Sequence, residues 1–171
     1  MDMNTLNRQN AYTFTGHRPE RLELPENQVI RWLTEQIRQA ADEGCTDFIT
    51  GMQRGVDIWA AEAVLKLRDE GASVRLIAAC PFPEMESRWE RVWQERYSRI
   101  ISAADMVYII GSKPGRQAFF ERNRWMVDHA SRLIAVYTGA PGGTKETISY
   151  AREKGLKVIC IRKDERSGEA L

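Results

Sequence analysis

Four short segments collect the residue types that hold anions: Thr15-Gly16-His17-Arg18-Pro19, Thr50-Gly51-Met52-Gln53-Arg54-Gly55-Val56-Asp57, the pair Arg122-Asn123, and Gly139-Ala140-Pro141-Gly142-Gly143-Thr144. The last has the plainest chemistry. Glycines let a backbone turn sharply and approach a ligand with no Cβ in the way. Here they run into a helical pattern, whose first N–H groups have no internal partner and whose dipole end is positive. A phosphate suits that position. Thr144 either caps the helix or offers its hydroxyl to the ligand, and the same residues also read as an ordinary glycine-rich connection with a threonine cap.

The second segment repeats the glycine spacing, with Gly51 at a strand end, Gly55 before a helix, and Arg54 between them. Asp57 falls in that helix's first turn, where a carboxylate is favoured in any case; its functional reading is a contact to a hydroxyl or a ribose. Arg54 is either a solvated loop charge or a phosphate partner. His17 beside Arg18 reads as a turn residue next to a charge or as an anion site, since the arginine fork matches phosphate oxygens. Glu62 and Glu86 could act as acids or bases, and solvated helix faces explain both.

Other chemistries lack their residues. No Ser-His-Asp or Cys-His set can be placed by sequence order, GxxxxGK[ST] is absent, and no GxGxxG follows the first strand pattern. These gaps argue against an ordinary P-loop ATPase and a standard NAD dehydrogenase. Cys45, Cys80 and Cys160 are odd in number and far apart, without Cys/His ligand spacing, which argues against zinc and against a disulfide framework. Cys80 and Cys160 fall in strand patterns and read as buried structural thiols.

Positioning these segments requires alternating elements. Strands are predicted at 11–15, 47–50, 74–80, 106–110, 133–137 and 158–161, and helices at 25–43, 56–70, 84–103, 117–130 and 144–154. Trp89, Trp93 and Tyr97 recur at i, i+4 and i+8 on the third of these helices and read as core or a subunit contact. Trp59 and Trp125 read as core. Alternation implies a single α/β Rossmann-like domain, its mostly parallel sheet covered by helices on both faces. The domain is expected over 11–162, after an extension at 1–10 and before a polar, frayed tail at 163–171. Ligands in such sheets sit beyond the carboxyl ends of the strands.

The chain has 171 residues, enough for one full core, and 25 Lys and Arg against 24 Asp and Glu. A balanced charge gives no general attraction to nucleic acid. No apolar run is long enough for a membrane span, and the start MDMNTLNRQN does not read as a signal peptide, so a cytoplasmic protein is expected.

Taken together, the segments resemble the SLOG superfamily, which includes the DprA/Smf and lonely-guy proteins, and within it the YpsA/YoqJ-like branch of uncharacterised bacterial proteins. The likeness runs from Phe14 to Ile161. It is carried by TGHRP at 15–19, TGMQRGVDIWAAE at 50–62, RYSRIISAADMVY at 96–108, ERNRWMVDHASRLIAVYTG at 121–139 and GGTKETISYA at 142–151.

This resemblance implies a Rossmann-like fold with one nucleotide pocket lined by Gly16, His17, Arg18, Gly51, Arg54, Gly55, Asp57, Arg122, Asn123, Gly142, Gly143 and Thr144. Asn123, a poor helix former in mid-helix, would then bond strand-end backbone or ligand. TGMQRGVD is similar to the SG-x-x-RGID segment of DprA, although Ala61 stands where those proteins often carry His. PGGT is similar to the PGG-x-GT-x-E motif of the lonely-guy phosphoribohydrolases, one residue shorter, which sets Glu146 in the hydrolase position and Arg122 or Arg54 as ribosyl-phosphate clamp. The leading expectation is binding or sensing of a nucleotide-type ligand such as ADP-ribose, an NAD-like molecule or a nucleoside monophosphate. Alternatives are an N-glycosidic hydrolase using Glu146 and a DprA-like module for single-stranded DNA or a protein. No metal is implied, and a homo-oligomer is compatible with the fold class.

Overall fold

The computed structural model describes residues 5–161. The expected tail at 163–171 lies outside the described residues. Six strands form one all-parallel sheet: β1 (Ala11–Gly16), β2 (Asp47–Thr50), β3 (Arg75–Cys80), β4 (Met106–Ile109), β5 (Arg132–Val136) and β6 (Lys157–Cys160). Five helices connect them: α1 (Glu26–Asp42), α2 (Val56–Asp69), α3 (Arg91–Ala103), α4 (Arg116–Asp128) and α5 (Gly143–Glu153).

The apolar periods read from the sequence decide what each helix buries. Val29, Trp32, Leu33, Ile37 and Ala40 are the buried residues of α1, and they meet Tyr12, Phe14 and Phe48 of the sheet. A second cluster forms on the other face, where Met126 and Val127 of α4 and Ile148 and Ala151 of α5 cover Ile49, Ile77, Leu133 and Ala135. Strand residues from β1, β2, β3 and β5 divide between the two clusters, as the period of two requires. The four inner strands are thus buried on both faces, the condition under which parallel strands read as continuous apolar runs. The N-terminal segment is tied to this core, with Leu6 packed on the second cluster and Arg8 Nε donating to the Ala130 carbonyl at 3.2 Å.

The long helix expected at 84–103 is shorter, because only Arg91–Ala103 is helical. Pro81 and Pro83 open a series of turns, and Glu84 sits at φ 58°, outside the helical region, so the helix restarts only after Glu90. Trp89 therefore does not share a helix face with Trp93 and Tyr97. It meets Tyr97 edge-on from the turn segment, with ring centroids 5.6 Å apart. Trp93 packs toward Trp59 of α2 at 6.3 Å, with the Arg96 guanidinium 4.6 Å from its ring. These aromatics join α2 to α3 within one chain. Cys160, expected to be buried, is half-buried, since β6 is an edge strand with only β5 beside it.

The strand order is β4-β3-β2-β1-β5-β6. The chain steps outward from β1 to β4, then returns across the sheet through α4 to lay β5 on the free side of β1. The order reverses between β1 and β5. Connections leaving those two strands diverge there, which opens a crevice at their carboxyl ends.

Candidate functional site

A cavity of about 240 Å³ occupies this crevice. Its polar lining comes from the end of β1 and the segment after it (Thr15, His17, Arg18, Arg21), Gln53 just before α2 and Asp57 at its start, the middle of α4 (Arg122, Asn123) and the start of α5 (Thr144). Four elements distant in sequence thus meet at one place. A wider cleft of about 870 Å³ lies between α4 and α5. The two adjoin, because Arg18, Phe119, Asn123 and Gly143 line both.

Arg122 organises the inner cavity. It is 4 % exposed. One guanidinium nitrogen, Nη1, donates to the Gly51 carbonyl, and Nε donates to Asn123 Oδ1 at 2.8 Å. The expected bond from Asn123 to strand-end backbone is not formed among the described residues; its carbonyl oxygen holds the neighbouring arginine in place, and its side chain borders the cavity. Gly51 is demanded by this arrangement, since a Cβ there would lie 2.7 Å from Arg122 Nη1 and 2.8 Å from Asp57 Oδ2.

Asp57 is 7 % exposed. Its Oδ2 accepts the Gln53 backbone N–H at 3.2 Å, and the Thr50 hydroxyl fixes its carbonyl at 2.9 Å. Burial pushes the carboxyl up to about 6, against the downward pull of the Arg122 guanidinium and the Gln53 N–H. Burial also lowers Arg122, opposed chiefly by Asp57. Desolvation thus works against both charges, and each restrains the other's shift. His17 is buried as well and its Nε2 has no partner among the described residues. Desolvation lowers its pKa, helped by Arg21 and opposed by Glu23, which favours the neutral ring.

The start of α5 has the expected glycine geometry with a different cap. Gly142, not Thr144, is the N-cap residue, at φ 135° and ψ −165°, a region that essentially only glycine visits. No side chain caps this helix. Thr144 lies inside the first turn, buried against the inner cavity, and no atom comes within 4 Å of where a Gly143 Cβ would stand. The first N–H groups of α5 are left to meet whatever occupies the crevice.

Gly16 and Gly55 serve the frame. A Cβ on Gly16 would strike Val56 Cγ2 at 2.4 Å, and one on Gly55 would come within 2.9 Å of the Pro19 ring. They let the β1 and β2 loops close on each other. Arg54 is not brought to the cavity. Its Nη2 bonds Glu20 Oε1 at 2.9 Å, and its guanidinium lies 6.0 Å from the Trp89 ring. Glu146 lines the outer cleft, half-exposed, with Arg116 Nη2 3.8 Å away. Glu62 is paired with Arg96 at 2.6 Å.

The sequence reading missed the outer cleft. Phe119, Phe120 and Tyr150 form its apolar wall, and the Arg124 guanidinium lies 5.4 Å from the Phe120 ring and 5.1 Å from the Tyr150 ring. The available signal was Pro114-Gly115, whose glycine is the N-cap of α4 at φ 141°. Among the described residues, no group of three His, Cys, Asp or Glu could hold a metal ion, and no helix is long and apolar enough to cross a membrane.

The fold defines a Rossmann-like α/β protein with a polar crevice at its topological switch point. The family model YpsA, the YspA SLOG family, matches residues 12–162, and the chain belongs to that family. A UPF0398 protein of Lysinibacillus sphaericus is 30% identical over 151 residues, covering 84% of each chain. Another, from Halalkalibacterium halodurans, is 31% identical over 123 residues, covering 70% of this chain and 65% of the relative's length. In fold the chain is similar to DNA processing protein A from Helicobacter pylori, studied for its single-stranded DNA binding, with a TM-score of 0.64, 18% identity, and coverage of 92% of this chain and 68% of that one.

Proposed function

We propose that the protein binds a nucleotide or nucleotide-derived ligand (an ADP-ribose-like or NAD-like molecule, or a nucleoside monophosphate) in the β1–β5 crevice. The carrying observation is the junction at Gly143. There an uncapped helix start and Arg18 border both a small polar cavity and a larger aromatic-walled cleft. A phosphate fits the junction, with N–H donors and a positive helix end on one side and a guanidinium on the other. The aromatic wall suits a base, whose faces and edges match a cleft of mixed apolar and polar lining.

Thermal-shift measurement against ADP-ribose, NAD and AMP tests this reading, paired with mass spectrometry of any small molecule released on denaturation. Stabilisation by one of these compounds, or a released nucleotide, is the expected result. Absence of both overturns it.

A second reading, N-glycosidic hydrolysis, is supported by Glu146 one turn into α5 on the wall of the outer cleft. It requires that the Glu146→Gln variant lose release of free base while keeping ligand affinity. A variant as active as wild type removes it.

A further inference from the structure

We infer that the inner cavity receives the hydroxyls of a ribose, selected against deoxyribose by Asp57, while the phosphate stays at the mouth on the start of α5 and Arg18. This inference rests on the nucleotide reading and fixes which end of the ligand points inward.

The charge and the bonding capacity at Asp57 decide which group sits beside it. Arg122 would ordinarily be taken as a phosphate clamp. Two of its nitrogens are already committed, to the Gly51 carbonyl and to Asn123, and its charge is coupled to Asp57. Arg18 and Arg21 line the cavity too and attract a phosphate, but one seated against Asp57 would meet its carboxylate in a poorly screened setting, where like charges cost most. A polyol meets no such penalty.

The remaining bonding capacity also fits hydroxyls. Asp57 accepts one backbone N–H on Oδ2, and its Oδ1 has no partner among the described residues although the side chain borders the cavity. A carboxylate oxygen left over at a cavity wall is an acceptor for an O–H donor. Around it stand groups that donate to or accept from a hydroxyl: the Thr144 hydroxyl, the Asn123 amide and His17, whose Nε2 is unpartnered. By contrast, no carboxylate lies among the residues that line both cavities, Arg18, Phe119, Asn123 and Gly143. That junction is where a phosphate is welcome. The cavity, at about 240 Å³, is of a size for a sugar rather than a whole nucleotide.

A site with an acceptor placed for a hydroxyl penalises the analogue lacking it, because a bound ligand then leaves the acceptor desolvated and unpaired. The test compares affinities by calorimetry for ribose 5-phosphate against 2-deoxyribose 5-phosphate, and for AMP against 2′,3′-dideoxy-AMP, on the full chain. Each hydroxyl-bearing ligand is expected to bind about tenfold tighter or more, the effect of one charge-assisted hydrogen bond. Asp57→Asn should bring both ratios toward one, whereas Arg18→Ala should weaken all four ligands by a similar factor. The wild-type comparison needs no variant, so a misfolded Asp57→Asn protein leaves the test intact. Equal affinities within each wild-type pair overturn the inference and leave the nucleotide reading standing. Failure of all four to bind overturns both. Tighter binding of the deoxy ligands, or capture of a thymidine oligonucleotide in preference to all four, overturns the inference in favour of DNA.

Discussion

At the scale of single residues, the site holds an acid and a base that burial drives toward neutrality. Asp57 has a folded-state pKa of about 6 against an ordinary 3.8. Between these values the folded chain holds a proton that the unfolded chain has lost. The contribution of Asp57 to stability is therefore complete below about 3.8 and is lost as pH rises through about 6. At 1.36 kcal/mol per unit, the loss is ~3 kcal/mol. His17, shifted down, slopes the other way, because the unfolded ring takes up its proton first. Both proteins of a wild-type and Asp57→Asn pair contain His17. Subtracting their urea-denaturation free energies from pH 4.5 to 8 isolates Asp57. The difference should move against wild type by a few kcal/mol as pH rises, and a flat difference would remove the assigned shift.

Two glycines separate frame from function at the same scale. Gly51→Ala drives a methyl into the Arg122 guanidinium and the Asp57 carboxylate, both immobilised, and should cost about 1–3 kcal/mol in chemical denaturation together with ligand affinity. Gly143→Ala finds open space and gains helix propensity, so stability should hold or rise by about 0.5–1 kcal/mol. Its methyl stands in the proposed phosphate seat, and affinity alone should fall. If the two variants behaved alike in both assays, the division between frame and seat would be wrong.

At the scale of elements, β2 and β3 are clipped together by a charge pair. Arg75 Nε and Nη2 donate to Asp47 Oδ1 and Oδ2 at 2.8 and 2.9 Å, and Asp47 is 1 % exposed. Arg75→Ala strands a buried carboxylate and should cost about 3 kcal/mol, read as a lowered denaturation midpoint without loss of the sheet's circular-dichroism signal.

Most element boundaries were legible because apolar period and glycine stops agree, as in α1 and α2. The failure at 84–103 is instructive. The apolar residues there do have a helical period, yet Pro83 and the positive φ of Glu84 belong to turns whose packing on Tyr97 is a tertiary matter. The residues that line the cavity were legible in part from the loops that follow the strands, which carry Arg18 and lead into Asp57 and Gly143, and in part from Arg122-Asn123 in the middle of α4. Arg54 was misleading because a loop arginine next to two glycines looks the same whether it faces a ligand or Glu20. The aromatic wall of the outer cleft was illegible, since nothing in the sequence says which helix stands beside Phe119 and Phe120.

At the scale of the whole molecule, the two edges of the sheet differ. On β4, Val107 and Ile109 point the same way and are 43% and 56% exposed. An apolar edge with unpaired backbone groups is a template for pairing with another chain. Replacing both by lysine should leave the denaturation midpoint within about 1 kcal/mol and suppress concentration-dependent association in light scattering. Unchanged association would place any self-contact elsewhere.

The position of β1 has one more consequence, for the birth of the protein. Its first strand sits in the interior of the sheet, and Tyr12 pairs with Arg132 on a strand made 120 residues later. During synthesis, β1 to β4 can assemble with one flank of β1 bare, holding the place of a strand still inside the ribosome. Contacts of such long sequence separation form slowly, and an uncovered strand flank invites other chains. Only when β5 docks do the two halves of the crevice face each other. A ligand can then recognise nothing but the finished fold, so its presence during refolding should raise the yield of native protein by drawing off the last, slowest intermediate.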